Sequence, residues 1–248
     1  MRLVPGHLLI GLGFCLVLAS CQGNNNISDN TPPGFTDNVT ADTTEIPQEK
    51  VAICVWDVAG LRVEPGSKKL TKDKKNNYVE SVYYGEKVEM LGEELEIESE
   101  NRNYMKVRLQ DGQEGWVHDY VFEKNATLAA VIKEAELYRR PDIMTLRDDK
   151  LELGEIVVTM ERQGDWLHVS GREKRKKGWI KTEENLSFNT RDVKLALLYY
   201  KALQEKAVET RKARLNDILK EKAFSGSVLL DLVQSNLDSG APLPLPQN

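Results

Sequence analysis

A hairpin occurs twice in this chain, and the duplication restricts what it can fold into more than any other feature. Gly164-Asp165-Trp166-Leu167-His168-Val169 leads through a polar turn into Gly178-Trp179-Ile180. The earlier copy is Tyr104-Met105-Lys106-Val107-Arg108-Leu109, then Asp111-Gly112, then Gly115-Trp116-Val117. Tyr104 aligns with Trp166, Val107 with Val169 and Trp116 with Trp179, the second turn being one residue longer. Upstream, Leu61-Arg62 matches Leu137-Tyr138, and Tyr84-Gly85-Glu86-Lys87-Val88 matches Leu153-Gly154-Glu155-Ile156-Val157. A repeat that keeps its apolar and glycine positions over roughly sixty residues is a duplicated domain.

Within each copy, short runs alternate apolar and polar residues, which predicts half-buried strands. Val51-Ala52-Ile53-Cys54-Val55, Lys87-Val88-Glu89-Met90-Leu91 and the stretches 104–109 and 115–122 are the strands of the first copy. Lys124-Asn125 is almost the only linker before the second copy, so the hinge between the two is limited. From Asn189 the period changes to three and four, with Asn189 or Thr190 as N-cap, Asp192 at the positive end, and Val193, Leu197, Tyr200, Ala207, Leu215, Ile218 and Leu219 on one side. The spacing predicts one helix to about Phe224, ended by Ser225-Gly226, and a shorter one over Leu229, Leu230, Leu232, Val233 and Leu237. Leu195-Ala196-Leu197-Leu198-Tyr199-Tyr200 is apolar nearly all round and must dock on a neighbouring domain or on a second copy of the chain.

Leu61-Arg62-Val63-Glu64-Pro65, the Gly-Glu-x-Val at 85–88, a Trp- or Tyr-led strand and a closing Gly-Trp-Val or Gly-Trp-Ile together resemble the bacterial SH3 domain, over residues 51–188. The resemblance implies a mainly β fold of two tandem SH3-like small β-barrels, 51–123 and 124–188; the periodicity adds an α-helical extension at 189–237, and the proline-rich end a disordered tail at 238–248. It also implies a binding protein, since this small barrel is reused with many ligands. The loop carrying Lys68, Lys69, Lys72, Lys74 and Lys75 occupies the place that borders the ligand groove in SH3-like barrels, which nominates Lys68, Lys69, Tyr78, Tyr83 and Tyr84 as ligand contacts. A solvated loop that keeps a sheet edge soluble is the alternative. Trp56, with no aromatic counterpart in the second copy, is nominated as an exposed contact, whereas Trp116, Trp166 and Trp179 recur at matched positions and are expected to be at least partly buried.

The N-terminus reads as an export signal. Arg2 precedes the run from Leu8 to Leu18, about eleven residues and too short to span a bilayer, and Leu18-Ala19-Ser20-Cys21 follows. That ending resembles the bacterial lipoprotein box, which implies a signal peptide at 1–20, lipidation (palmitate) of Cys21, and a disordered tether at 21–49; an ordinary secretory signal is the alternative. Two or three acyl chains hold a protein on a membrane, each buried methylene contributing about 0.8 kcal/mol. Gln22, in place of the Asp that marks inner-membrane retention in many Gram-negative lipoproteins, implies the outer membrane.

Without residues 1–20 the 34 Lys and Arg fall to 33 by loss of Arg2, against 39 Asp and Glu, a net charge of −6. A generally basic nucleic-acid binder is excluded on that balance. Local charge is another matter: Arg172, Lys174, Arg175, Lys176 and Lys177 crowd one hairpin turn where the first copy has Asp111, Gln113 and Glu114. Either the tip contacts an anionic surface or it is a solvated turn.

Bacterial SH3 domains are often fused to cysteine-type wall peptidases, so the nucleophile question has to be asked. Cys54 lies inside an apolar strand and reads as a small buried thiol, and neither His118 nor His168 has a second ligand at zinc spacing. Neither a phosphate loop nor a nucleophile elbow is present. The sequence therefore reads as a chain without enzyme activity, cofactor or metal: an envelope lipoprotein whose partners are the bilayer, through acylated Cys21, and peptidoglycan or an envelope protein. An adaptor that uses the C-terminal helix, with the barrels as spacers, is the alternative.

Overall fold

The computed structural model describes residues 48–67 and 75–239. Cys21, the expected signal, the expected tether as far as residue 47, Lys68, Lys69, Lys72, Lys74 and the last nine residues lie outside the described residues. Among the described residues the fold is mainly β, two antiparallel sheets of seven strands each, with three helices at the C-terminal side. The first sheet consists of β1 (Val51–Cys54), β2 (Val58–Arg62), β3 (Tyr78–Tyr83), β4 (Lys87–Ile97), β5 (Arg102–Arg108), β6 (Glu114–His118) and β7 (Phe122–Lys124). The second consists of β8 (Thr127–Val131), β9 (Ala135–Tyr138), β10 (Leu146–Leu151), β11 (Ile156–Gln163), β12 (Trp166–Ser170), β13 (Lys177–Ile180) and β14 (Leu186–Ser187).

The duplication is exact at the level of connectivity. The spatial orders are β3-β2-β6-β5-β4-β1-β7 and β10-β9-β13-β12-β11-β8-β14, the same list shifted by seven. Register agrees as well, Arg62 standing opposite Trp116 and Tyr138 opposite Trp179. Gly115 and Gly178 are required by this crossing, because a Cβ at Gly115 would lie 2.5 Å from the Arg62 carbonyl and one at Gly178 2.7 Å from that of Tyr138. Neither sheet closes among the described residues: β3 and β7 remain edges of the first, β10 and β14 of the second. The closed barrels expected from sequence are corrected to open sheets, the short last strand of each pairing only with β1 or β8.

Three hydrophobic cores organise the molecule. Leu61, Val88, Val107 and Val117 fill the first sheet's own core, and their repeat partners Leu137, Val157, Val169 and Ile180 fill the second's. The third core is shared. Val51, Ile53 and Val55 from one sheet meet Leu128, Ala130, Ile156 and Val158 from the other, while Ala52 and Cys54 face the first sheet's own core and Ala129 and Val131 the second's. β1 is thus buried on both faces, which is why it reads as a continuous apolar run; the half-buried strand expected there is corrected.

Helices α1 (Thr190–Leu203), α2 (Val208–Lys220) and α3 (Leu230–Ser239) cap this shared core. The Asn189 side chain accepts from the Arg191 N–H at 2.9 Å, the cap its position predicts. The apolar stretch 195–200 is docked on one face: Leu195, Ala196 and Tyr199 are buried with the sheet residues, as are Val193 and Ala202, while Leu198 is exposed. The single helix to Phe224 is corrected to two. A continuous helix of that length would run about 50 Å, carrying Leu215 and Ile218 away from the core, whereas a break across Gln204-Glu205-Lys206-Ala207 folds them back into it. The helical extension expected to end at 237 reaches Ser239, since α3 includes Asp238 and Ser239. None of the helices among the described residues is long and apolar enough to cross a membrane.

Candidate functional site

The aromatic set nominated from sequence is not one surface. Tyr78 and Tyr83 are exposed but stand at opposite ends of β3, about 16 Å apart at strand rise. Tyr84 is corrected from ligand contact to structural residue. It is buried between the sheets, where its hydroxyl donates to the Ile156 carbonyl at 2.8 Å, and burial pushes its phenol well above the usual range. Trp56 is corrected likewise: it is partly buried against both the shared core and the first sheet's own core. One edge of it meets Tyr120, ring centres 5.2 Å apart. Trp116, Trp166 and Trp179 are partly buried, as their matched positions imply.

The basic turn is also not a free cationic surface. Gly171-Arg172-Glu173-Lys174 reaches across to the first sheet, and each of its cations has a carboxylate partner. Arg172 Nη1 donates to Asp57 at 2.8 Å and to the Tyr200 hydroxyl at 3.1 Å, while that hydroxyl donates to the other Asp57 oxygen at 2.6 Å. Lys177 and Lys174 both approach Glu123, at 2.8 and 3.5 Å. Lys176 pairs with Glu155 and Arg175 with Glu173. The Glu173 N–H donates to the Val55 carbonyl at 2.6 Å. Glu173 and Lys174 both adopt left-handed backbone, with φ of 53° and 58°, a conformation costly for residues with side chains. The turn nominated as an anionic-surface contact thus forms an intramolecular latch. The acids that neutralise it, Asp57, Glu123 and Glu155, are distant in sequence, and so composition of the turn alone was misleading.

The latch completes a cleft that the sequence reading did not single out. A depression of about 660 Å³ is lined by residues of the first sheet, among them Arg102, His118, Asp119, Tyr120 and Glu123, and by Lys174 of the second. Asn101, in left-handed backbone, turns the chain from a short 3-10 segment into β5 and sets Arg102 at the rim. Tyr120, exposed, stands between Trp56 and His118, with the Lys174 ammonium 4.9 Å from its ring centre. Lys174 Nζ also donates to the Phe122 carbonyl at 2.9 Å. Burial lowers the Lys174 ammonium below its ordinary range, with Glu123 opposing. Burial, then the nearby Arg102 guanidinium, lowers His118, which is consequently a neutral imidazole at neutral pH. Behind the rim, Tyr104 donates to Glu100 at 2.9 Å, and the Ser67 N–H, with its hydroxyl, pulls that carboxyl down to about 2.

The sequence signal for this cleft was an asymmetry between the copies. His118-Asp119-Tyr120 follows Gly115-Trp116-Val117, where the second copy has Lys181-Thr182-Glu183 after Gly178-Trp179-Ile180. Only the first copy carries an imidazole and a phenol at that edge. The arrangement offers guanidinium and ammonium donors, an aromatic face and a neutral imidazole to a polar ligand. Cys54 is remote from such chemistry: its Sγ donates to the Trp56 carbonyl at 3.3 Å, and burial pushes its thiol up to about 12, the opposite of an activated thiolate. Among the described residues no cluster of metal-ligating side chains occurs.

No protein-family model matches the chain, and no curated protein does. Among solved structures it is similar to NlpC2 from Trichomonas vaginalis, with 16% identity, TM-score 0.24, and coverage of 76% of this chain and 66% of that one. NlpC1 from the same organism gives 15% identity, TM-score 0.24, and 64% and 52% coverage. An NlpC/P60 family protein from Bacillus cereus gives 14% identity, TM-score 0.27, and 68% and 62% coverage. The chain thus spans between half and two thirds of each of these structures. The exclusion of enzyme activity made from sequence is withdrawn: the solved structures to which the chain is similar are named as NlpC2, NlpC1 and an NlpC/P60 family protein. At these TM-scores the matches assign neither a catalytic residue nor a substrate.

Proposed function

We propose that this chain is a lipid-anchored envelope protein that binds a wall component, such as a peptidoglycan stem peptide, at the junction of two open, SH3-like sheets. The observation that carries the reading is the cleft itself, built from both copies and lined by Arg102, His118, Tyr120 and Lys174. Amide carbonyls and carboxylates, the polar groups of a short peptide, find donors there, and Tyr120 supplies the apolar contact that such a ligand's side chains need. Cys21 supports the anchor only through the lipoprotein-like Leu18-Ala19-Ser20-Cys21. The adaptor reading has less support, since the apolar face of α1 is covered by the two sheets.

The test is sedimentation of residues 22–248 with insoluble peptidoglycan. Retention is expected, with Tyr120→Ala and Arg102→Gln each weakening it at least about fivefold, the loss of one charged or aromatic contact of about 1 kcal/mol. No retention of the parent, or equal retention of both variants, would reject the cleft as a wall-binding site. For the anchor, Cys21→Ser should move the exported protein from the salt-washed membrane to the soluble fraction; persistent membrane association would reject lipidation.

A further inference from the structure

Between β9 and β10 the chain turns through Arg139-Arg140-Pro141-Asp142-Ile143-Met144-Thr145. The turn is stiff. The Asp142 N–H donates to the Arg140 carbonyl at 2.7 Å, the Thr145 N–H to the Asp142 carbonyl at 3.0 Å, and the Met144 N–H to the Asp142 carboxylate at 2.9 Å. The Arg140 N–H donates to the Thr145 hydroxyl at 3.2 Å, and that hydroxyl donates to the Asp142 carbonyl at 2.7 Å. What this bracing holds outward is apolar: Ile143 is 59% exposed, Met144 85% and Leu146 52%. Arg139 and Arg140 are exposed beside them. Neither forms an ion pair among the described residues, in contrast to the five paired cations of the latch. Arg139, Arg140, Met144, Thr145 and Leu146 border a shallow hollow of about 480 Å³.

We propose that this turn is a membrane-contact element, with Ile143 and Met144 entering the headgroup zone of an anionic bilayer and Arg139 and Arg140 lying against lipid phosphates. Charge decides the occupant. Two guanidiniums without carboxylate partners suit phosphate oxygens, which they can bind in a forked geometry. The apolar side chains of Ile143, Met144 and Leu146 are exposed on the same turn as the guanidiniums, suited to the outer 5–10 Å or so of a lipid interface. Because the turn is already braced, insertion would order little further chain. The inference does not depend on lipidation of Cys21.

Residues 44–248 form one compact unit that contains all three cores, so this piece, without any acyl chain, isolates the turn. It is expected to co-sediment with vesicles of mixed phosphatidylglycerol and phosphatidylcholine and far less with phosphatidylcholine alone. Arg139→Gln with Arg140→Gln should weaken low-salt binding roughly thirtyfold, at about 1 kcal/mol per cation near an anionic surface. Ile143→Ser with Met144→Ser should remove the binding that survives high salt. All four side chains are exposed, so unchanged melting temperatures would confirm that the variants are folded. The proposal is overturned if the parent is not retained by anionic vesicles, or if either double variant binds as the parent does. It is equally overturned if the turn captures a soluble protein in place of vesicles.

Discussion

Glu100 shows how one residue's environment becomes a pH dependence. Its carboxylate accepts from the Ser67 N–H and hydroxyl and from the Tyr104 hydroxyl, and its folded value lies near 2 against an ordinary 4.5. A carboxyl held down in the folded state contributes stability that is complete above its unfolded value and is lost as pH falls through the folded one. Melting temperature should therefore fall between pH of about 4.5 and 2 in the parent. In Glu100→Gln that part of the decline should be missing, and parallel curves for the two proteins would refute the assignment. Residue roles were the least legible part of the sequence. Tyr83 and Tyr84 look alike as aromatics beside a lysine-rich loop, yet Tyr83 is exposed and Tyr84 is covered because the second sheet's Ile156 arrives above it. That contact joins residues far apart in the chain and leaves no local pattern.

At the scale of elements, the matched strands were readable because period and glycine placement are local. Gly85 and Gly154, in left-handed backbone at φ of 82° and 84°, mark the same turn in both copies. The latch was not readable, because charge on a turn looks the same whether its counter-ions are in solution or on another sheet. Its Arg172 side chain is 17% exposed and that of Asp57 45%, so the pair is only partly screened. Arg172→Ala should cost about 1–3 kcal/mol, more than Arg175→Ala, whose partner Glu173 belongs to the same turn. A double-mutant cycle of Arg172 with Asp57 should give a coupling of about 1 kcal/mol or more. A coupling indistinguishable from zero would leave the turn held to the first sheet by the Glu173 N–H and by Lys174 and Lys177.

At the scale of the whole molecule, two copies that could have been beads on a string share a core and a helical cap. The legible clue was the unbroken apolar run of β1, which calls for cover on both sides. The number of helices was less legible, since the periodicity of 190–224 fits a straight helix as well as a folded-back pair. Leu195, Tyr199, Leu215, Ile218, Phe224 and Val233 complete the shared core, so residues 51–188 alone would leave its sheet side bare. Calorimetry should give one transition for residues 44–248. The 51–188 fragment should melt lower and bind a hydrophobic dye; two separate transitions in the longer chain would show that the copies fold independently. A further consequence is mechanical. A pull applied on the N-terminal side of Val51 enters β1, which is flanked by β4 and β7 and gripped on both faces. Such a load must shear two strand ladders and tear two cores together, and β1 thereby acts as the pin that holds the two sheets against traction.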